Sequence, residues 1–250
     1  MSDNWEFYAC TLGDARAWIS FDRGLATEIE ATVPKTCVRL QLAFHDPRPA
    51  GQPGQEEFDR LNEIEDLLVP FIEDRGGLYA GRITSRGRRT FVCYAEISAA
   101  DMTAFGAKIA AAFGYTPEWR REHDPEHRAY WDDLYPSPED DSVIQDLKVI
   151  GALADNGDAC EQARRVDHWA YFPSKAAAEA FVAWAAGQGY VSDAIERSSE
   201  PTNPYQVRFH RVETPSVGDF TAANILLRNR TRDLGGAYDG WETMIVKDKT

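Results

Sequence analysis

The residues best suited to chemistry are the histidines and the paired acids. His123 and His127 stand four apart in "HDPEH". On a helix that spacing would put both imidazoles on one face, as a metal pair requires. Pro125 falls between them, however, and the zinc-protease pattern needs a glutamate directly after its first histidine. A turn with solvated imidazoles is therefore expected, and no metal. His45, His168 and His210 are scattered. Acids adjoin at Glu56-Glu57, Asp132-Asp133 and Asp140-Asp141. Acid–base catalysis needs two carboxyls whose surroundings drive their pKa values apart. Adjacent acids in a polar run share one environment and read as solvated faces. The sequence has no glycine-rich phosphate loop and no GxSxG elbow, so no cofactor is expected.

Two further constellations stand out. "RITSRGRRT" gathers Arg82, Arg86, Arg88 and Arg89 in an otherwise acidic chain. The "FVCY" that follows matches the second half of an RNA-recognition signature, but the Gly and aromatic of its first half are missing. The hairpin could grip phosphates or an acidic partner; the favoured reading is a soluble turn whose arginines guard a sheet edge. "YDGWET" runs from Tyr238 to Thr243. Asp-Gly signals a turn or a bulge, because glycine accepts positive φ. Tyr238 and Trp241 flank it and could pack into a core or anchor a partner.

The elements that must carry these residues follow from periodicity. "WEFYACTLGDARAWISFDR" reads as two strands around a Gly-Asp turn. In "CVRLQLAFHDP", Val38, Leu40 and Leu42 alternate with Arg39 and Gln41, a half-buried strand. "RPAGQPGQ" reads as a loop. Phe58, Leu61, Ile64, Leu67, Leu68, Phe71 and Ile72 recur at helical spacing up to Gly76-Gly77, with a kink or early end expected at Pro70. A hairpin follows with its turn at Arg86-Gly87, then a helix capped by Ser98 with Asp101 behind it. Pro136 to Ser142 is the expected linker. Beyond it come a helix ending at Asn156-Gly157, the strand "RRVDHWAYF", a Ser174-started helix, the strand "PYQVRFHRVE", a third helix and a closing strand "AYDGWETMIV". The helices at 98–115 and 174–190 echo each other: a serine start, an Ala-Phe pair and a Gly-Tyr exit. The echo points to one strand–helix module used in both halves.

Composition sets the class. The 250 residues are 43% hydrophobic and 27% charged, as in a globular chain with room for two domains. The net charge of −14 is spread over both halves. Such a field repels nucleic acid at long range and favours a basic protein surface. The four cysteines lack metal or CxxC spacing, which fits a reducing compartment. No signal-like or membrane-length apolar run occurs, so a cytoplasmic, bacterial-style protein without a membrane partner is expected.

The C-terminal half resembles the regulator of ribonuclease E activity B family (RraB, ribonuclease E inhibitor). "LADNGDA", "VDHWAYFPSKAAAEAFVAWAAGQGY" and, most specifically, "YDGWET" carry the likeness over roughly 143–246. The N-terminal half resembles a bacterial family known as domain of unknown function six-nine-five, through "NEIEDLLVPFIE", "GRITSRGRRTFVCY" and "DPEHRAYWDDLYP". The expected organisation is an α+β domain of unknown function at 1–136, a linker at 137–142, and an RraB-like, ferredoxin-like domain at 143–250, each with helices on one face of a mainly antiparallel sheet. The resemblance implies a non-enzymatic regulator that binds ribonuclease E and lowers RNA cleavage. Tyr238, Asp239, Gly240, Trp241, Glu242, Asp155 and Asp158 are the expected partner-binding positions. RraB proteins carry an acidic tail after the Asp-Gly-Trp motif, where this sequence reads "KDKT", so a lost or changed partner contact is expected. Two alternatives stay open: a hydrolase or other enzyme with a carboxylate/His site between the domains, using His168 or His123, and RNA binding through Arg82, Arg86, Arg88 and Arg89.

Overall fold

The computed structural model describes residues 4–48 and 51–247. Pro49 and Ala50 of the expected loop, and Asp248 to Thr250 of the C-terminal stretch, lie outside the described residues. The chain divides into two compact units, Met1–Asp140 and Asp141–Thr250. Both are α+β, and each has its own antiparallel sheet.

In the first unit a hairpin of β1 (Trp5–Leu12) and β2 (Ala15–Asp22) precedes the short α1 (Ile29–Thr32) and β3 (Thr36–Ala43). Then come α2 (Gln55–Glu73), β4 (Leu78–Ser85), β5 (Arg88–Tyr94), α3 (Ala99–Phe113), β6 (Glu118–His123) and the short α4 (Arg128–Trp131). The six strands lie in the order β1-β2-β4-β5-β3-β6. The alternating side chains of β3 put Val38, Leu40 and Leu42 into one core with Leu61, Ile64, Leu68 and Ile72 of α2 and Phe105 and Ile109 of α3. Ser98 caps α3: its Oγ accepts the Asp101 N–H at 3.1 Å and donates to the Asp101 carboxylate at 2.6 Å. The β4–β5 turn falls on Arg86 and Gly87, both at positive φ (52° and 70°), as a tight hairpin demands. The helix α2 runs through Pro70 rather than ending there. Pro70 lies in the last turn, where its missing N–H costs a single bond.

The second unit is built from α5 (Pro138–Asp155), β7 (Arg164–Phe172), α6 (Lys175–Gly187), β8 (Val191–Arg197), β9 (Tyr205–Glu213), α7 (Asp219–Asp233) and β10 (Ala237–Thr243). Its strand order is β10-β7-β9-β8. Phe172, Phe181, Phe209 and Leu227 form one core cluster; Leu153, Val166, Phe220 and Trp241 form a second. The expected linker at 137–142 is instead the first turn of α5. Ser137 Oγ accepts the Asp140 N–H at 3.1 Å and donates to its carboxylate at 2.6 Å, and Pro138 takes the first helical position, where its missing N–H costs nothing.

The two units share a connectivity. β3-α2-β4-β5-α3-β6 and β7-α6-β8-β9-α7-β10 are both β-α-β-β-α-β chains, with strand orders β6-β3-β5-β4 and β10-β7-β9-β8. The registers correspond as well. Leu40 faces Phe91 on one side and Trp119 on the other; His168 faces Phe209 and Trp241. The sequence echo fell on helices that are not equivalent: α3 is the second helix of its module and α6 the first of its own.

Candidate functional site

The "YDGWET" segment is β10, an edge strand paired with β7. The Asp-Gly signal resolves as a bulge: Tyr238 pairs with Ala170, Gly240 with Trp169 and Trp241 with His168, with Asp239 as the extra residue. Gly240 has φ 140°, open to glycine and strained for other residues. The bulge explains the motif's spacing. In a regular strand, side chains three apart point to opposite faces. The extra residue turns Tyr238 and Trp241 to the same, inner face, where Tyr238 packs on the Phe172–Phe209 cluster and Trp241 lies edge-on to Phe220 with ring centroids 4.8 Å apart.

Each ring also ends on a buried polar group. Trp241 Nε1 donates to Asp146 Oδ1 at 2.9 Å, and Asn224 Nδ2 donates to Asp146 Oδ2 at 3.0 Å. Arg228 Nη2 stands 3.6 Å from Asp146 Oδ1, and its guanidinium lies 4.7 Å from the Tyr238 ring centre. Asp146 is fully buried. Burial raises its carboxyl above the usual range, against the opposing pull of these donors and the Arg228 charge. Tyr238 Oη lies 2.7 Å from His168 Nδ1, His168 Nε2 lies 3.1 Å from Glu213 Oε1, and Arg211 Nη2 donates to Glu213 Oε2 at 2.6 Å. A carboxylate only accepts, so it fixes the neutral imidazole's proton on Nε2, and Nδ1 then accepts from the tyrosine. Burial would raise the Glu213 carboxyl; the bonds from His168 and Arg211 outweigh it and hold it below its ordinary value.

Outside this frame, a hollow of about 600 Å³ opens around the bulge. Asp141, Asp146, Asp239 and Glu242 line it against one cation, Arg228. Asp239 and Glu242 are exposed and make no ion pair or hydrogen bond among the described residues. Just past β10, Met244 and Ile245 are 80% and 48% exposed. The chemistry on offer is an acidic edge with an apolar flank, suited to a basic protein segment.

The seven expected contact residues therefore separate. Asp239 and Glu242 face solvent, Gly240 makes the bulge, and Tyr238 and Trp241 are packed. Asp155 is exposed at the end of α5. Asp158 is a structural residue: buried, it accepts the N–H groups of Cys160 (2.9 Å) and Val246 (2.8 Å) and pairs with Arg164 at 2.7 Å. Asp146, the residue holding the motif in place, carried no local signal. Its bonds span 78 and 95 residues.

The arginine constellation does not form one basic face. Strand alternation sends Arg82 and Arg89 to the α2 side and leaves Arg88 and Arg86 at the hairpin end. Arg82 is tied to Glu65 and Arg86 to Asp14, Arg88 is exposed, and Arg89 is 1% exposed. The histidines are not brought together either. His123 is exposed, whereas His127 is fully buried with Nε2 3.2 Å from the Pro34 carbonyl. The expectation of two solvated imidazoles fails for His127, which packs edge-on to Tyr94 at 4.8 Å. Among the described residues no group of three or more His, Cys, Asp or Glu could hold a metal. His168 sits beside an ionisable partner, as the enzyme reading required, but it is fully buried. Among the described residues no helix is long and apolar enough to cross a membrane.

Fold and site thus define a protein of two α+β units, the second presenting an acidic sheet edge set on a buried polar frame. The chain belongs to the family of unknown function (DUF695), whose model matches residues 3–135. Residues 144–243 match the model of a second family, Regulator of ribonuclease activity B. Both resemblances read from the sequence are borne out. A solved structure, "Crystal Structure of an Unknown Protein from Galdieria sulphuraria", is 11% identical, with 84% of this chain and 99% of that one covered and a TM-score of 0.23. No curated protein matches the chain.

Proposed function

We propose that the chain is a non-enzymatic regulator of RNA degradation that acts by protein–protein contact. Its second unit, with the β-α-β-β-α-β order of ferredoxin-like domains, docks on ribonuclease E and lowers its cleavage of RNA. The match of residues 144–243 to the ribonuclease-regulator family carries this reading. The geometry adds a mode of contact. Asp239 and Glu242 project from the bulged edge strand without partners among the described residues, and Met244 and Ile245 supply apolar area beside them. A basic segment with apolar side chains would be steered to this edge and held there. Tyr238, Trp241, Asp146 and Asp158 act beneath it as support.

The experiment is capture of the purified full chain on immobilised ribonuclease E at low salt, with RNA cleavage measured in parallel. Retention that falls as salt rises, together with slowed cleavage, is expected. Asp239→Lys with Glu242→Lys should abolish both while the thermal midpoint holds. No retention at low salt would refute the partner; retention unchanged by the double substitution would refute the edge.

A further inference from the structure

The first unit holds a pocket of the opposite sign. Sheet register builds its floor. On the α2 side of the sheet, Phe7, Ser20 and Arg82 lie in one cross-strand row, and Ala9, Trp18, Thr84 and Arg89 in the next. The β1–β2 hairpin extends this floor beyond the four strands of the module, and the N-terminal end of α2 forms a wall. The half-open hollow is about 290 Å³, close to the lower limit of small-ligand sites, about 300 Å³.

Three guanidiniums, Arg48, Arg82 and Arg89, line it, and no acidic residue does, in a chain of net charge −14. Arg82 is neutralised by Glu65, which stands outside the pocket. Arg48 and Arg89 have no carboxylate within 4.0 Å among the described residues. Arg89 is the telling one. At 1% exposure, its Nε donates to Thr84 at 3.3 Å and its Nη1 to Asn62 at 2.9 Å, while Nη2 makes no hydrogen bond among the described residues. Burial, with the Arg82 charge beside it, lowers its pKa to about 10. A buried cation with no carboxylate within 4.0 Å among the described residues is costly, and an anion entering the pocket would relieve that cost.

The helix end adds to this. Gly54 caps the 19-residue α2 with no side-chain acceptor for its first N–H groups. The two acids of that first turn are engaged elsewhere: Glu57 accepts from the His45 N–H and the Tyr115 hydroxyl, and Glu56 pairs with Arg60. Around the cations stand aromatic faces. Phe7 is 62% exposed and Phe58 38%, Trp18 is half-buried, and Arg89 already lies 5.1 Å over Phe58.

We propose that the first unit binds a small ligand that joins a flat ring to a phosphate, a nucleoside monophosphate in size and chemistry. The ring stacks among Phe7, Trp18 and Phe58, and the phosphate takes Arg48, Arg89 and the open end of α2. The field of a −14 chain disfavours long nucleic acids, whose many phosphates would have to approach it. The site is independent of the ribonuclease contact and lies in the unit whose family has no function attached.

Calorimetric titration of the full chain at low salt tests the assignment, with adenosine monophosphate as probe and adenosine, inorganic phosphate and a five-nucleotide single-stranded RNA as comparators. Saturable binding of the monophosphate with a Kd below about 1 mM is expected, with adenosine and phosphate each at least about tenfold weaker. Arg48→Ala and Arg89→Gln should each raise Kd about tenfold, and Phe7→Ala about fivefold or more. Arg48 and Phe7 are exposed, so those two variants keep the test decisive if Arg89→Gln fails to fold. No saturable binding of the monophosphate, binding unchanged in Arg48→Ala and Phe7→Ala, or binding of the RNA alone would each overturn the proposal.

Discussion

One β-α-β-β-α-β frame occurs twice in this chain, and its two interiors differ at equivalent positions. In the first, Leu40 meets Phe91 and Trp119; in the second, His168 meets Phe209 and Trp241. The Trp119 Nε1 is buried without a partner, whereas the Trp241 Nε1 is bonded to Asp146. Apolar contact is non-directional and scales with area. Hydrogen bonds require particular distances and angles, and leaving one broken in a core is expensive. At these positions the first interior gains stability from filling space. The second fixes the height and tilt of β10 through Tyr238 and Trp241, the two residues flanking the acidic bulge. Buried polarity lies under the strand that presents Asp239 and Glu242.

The largest expected effect comes from removing the fixing group. Asp146→Ala leaves Trp241, Asn224 and Arg228 without their acceptor and should cost about 3–5 kcal/mol. Urea unfolding measures the loss, and amide exchange should assign it to the second unit, with β4 and β5 unchanged.

The bulge glycines come next, since β4 has a bulge of its own against β5, between Tyr79 and Gly81. A Cβ on Gly81 would lie 2.4 Å from the Ser20 carbonyl oxygen, while one on Gly240 meets nothing within 4 Å. Gly81→Ala should cost about 3 kcal/mol and Gly240→Ala about 1 kcal/mol. Equal costs would show that the edge bulge is packed as tightly as the inner one.

The tryptophans test the comparison most directly. Trp241→Phe leaves Asp146 Oδ1 with only the more distant Arg228 and should cost about 2 kcal/mol, whereas Trp119→Phe removes an unpaired N–H and should cost less than half of that. Indistinguishable values from chemical denaturation would erase the contrast between the interiors.

The smallest effect is a slope. The Glu213 carboxyl is held below its ordinary value, burial being outweighed by His168 and Arg211. Its contribution is therefore present above the unfolded pKa of about 4.3 and is lost as pH falls through the lower folded value. Glu213→Gln should flatten the decline of second-unit stability below about pH 5. Asp146 has the opposite sign: its raised carboxyl is relieved on acidification.

Much of the frame was legible because its inner strands alternate and its helices announce their caps. Val38, Leu40 and Leu42 gave β3; Ser98 and Ser174 gave the starts of α3 and α6. The strands β6, "EWRREH", and β8, "VSDAIER", passed unread. Both are outer strands exposed along most of their length, so no apolar alternation marks them. The site was legible in part. Asp-Gly told of a bulge and the flanking rings of packing, but Asp146 looked like any helix acid, because only tertiary contact makes it an acceptor for residues 78 and 95 positions away. Likewise, four arginines close in sequence gave no hint that strand alternation would bury Arg89 and leave Arg88 in water.

The long reach of Asp146 also orders events during synthesis. Ribosomes deliver α5 and β7 early, yet the indole that occupies Asp146 arrives 95 residues later. At synthesis rates of about 5–20 residues per second, that leaves a window of about 5–20 s in which a nascent second unit carries a charged, unpaired carboxylate where its core must close. The first module has a shorter wait: its buried Glu57 carboxylate meets the Tyr115 hydroxyl 58 residues later. A nascent chain should therefore close its first module sooner than its second, which stays open until β10 emerges.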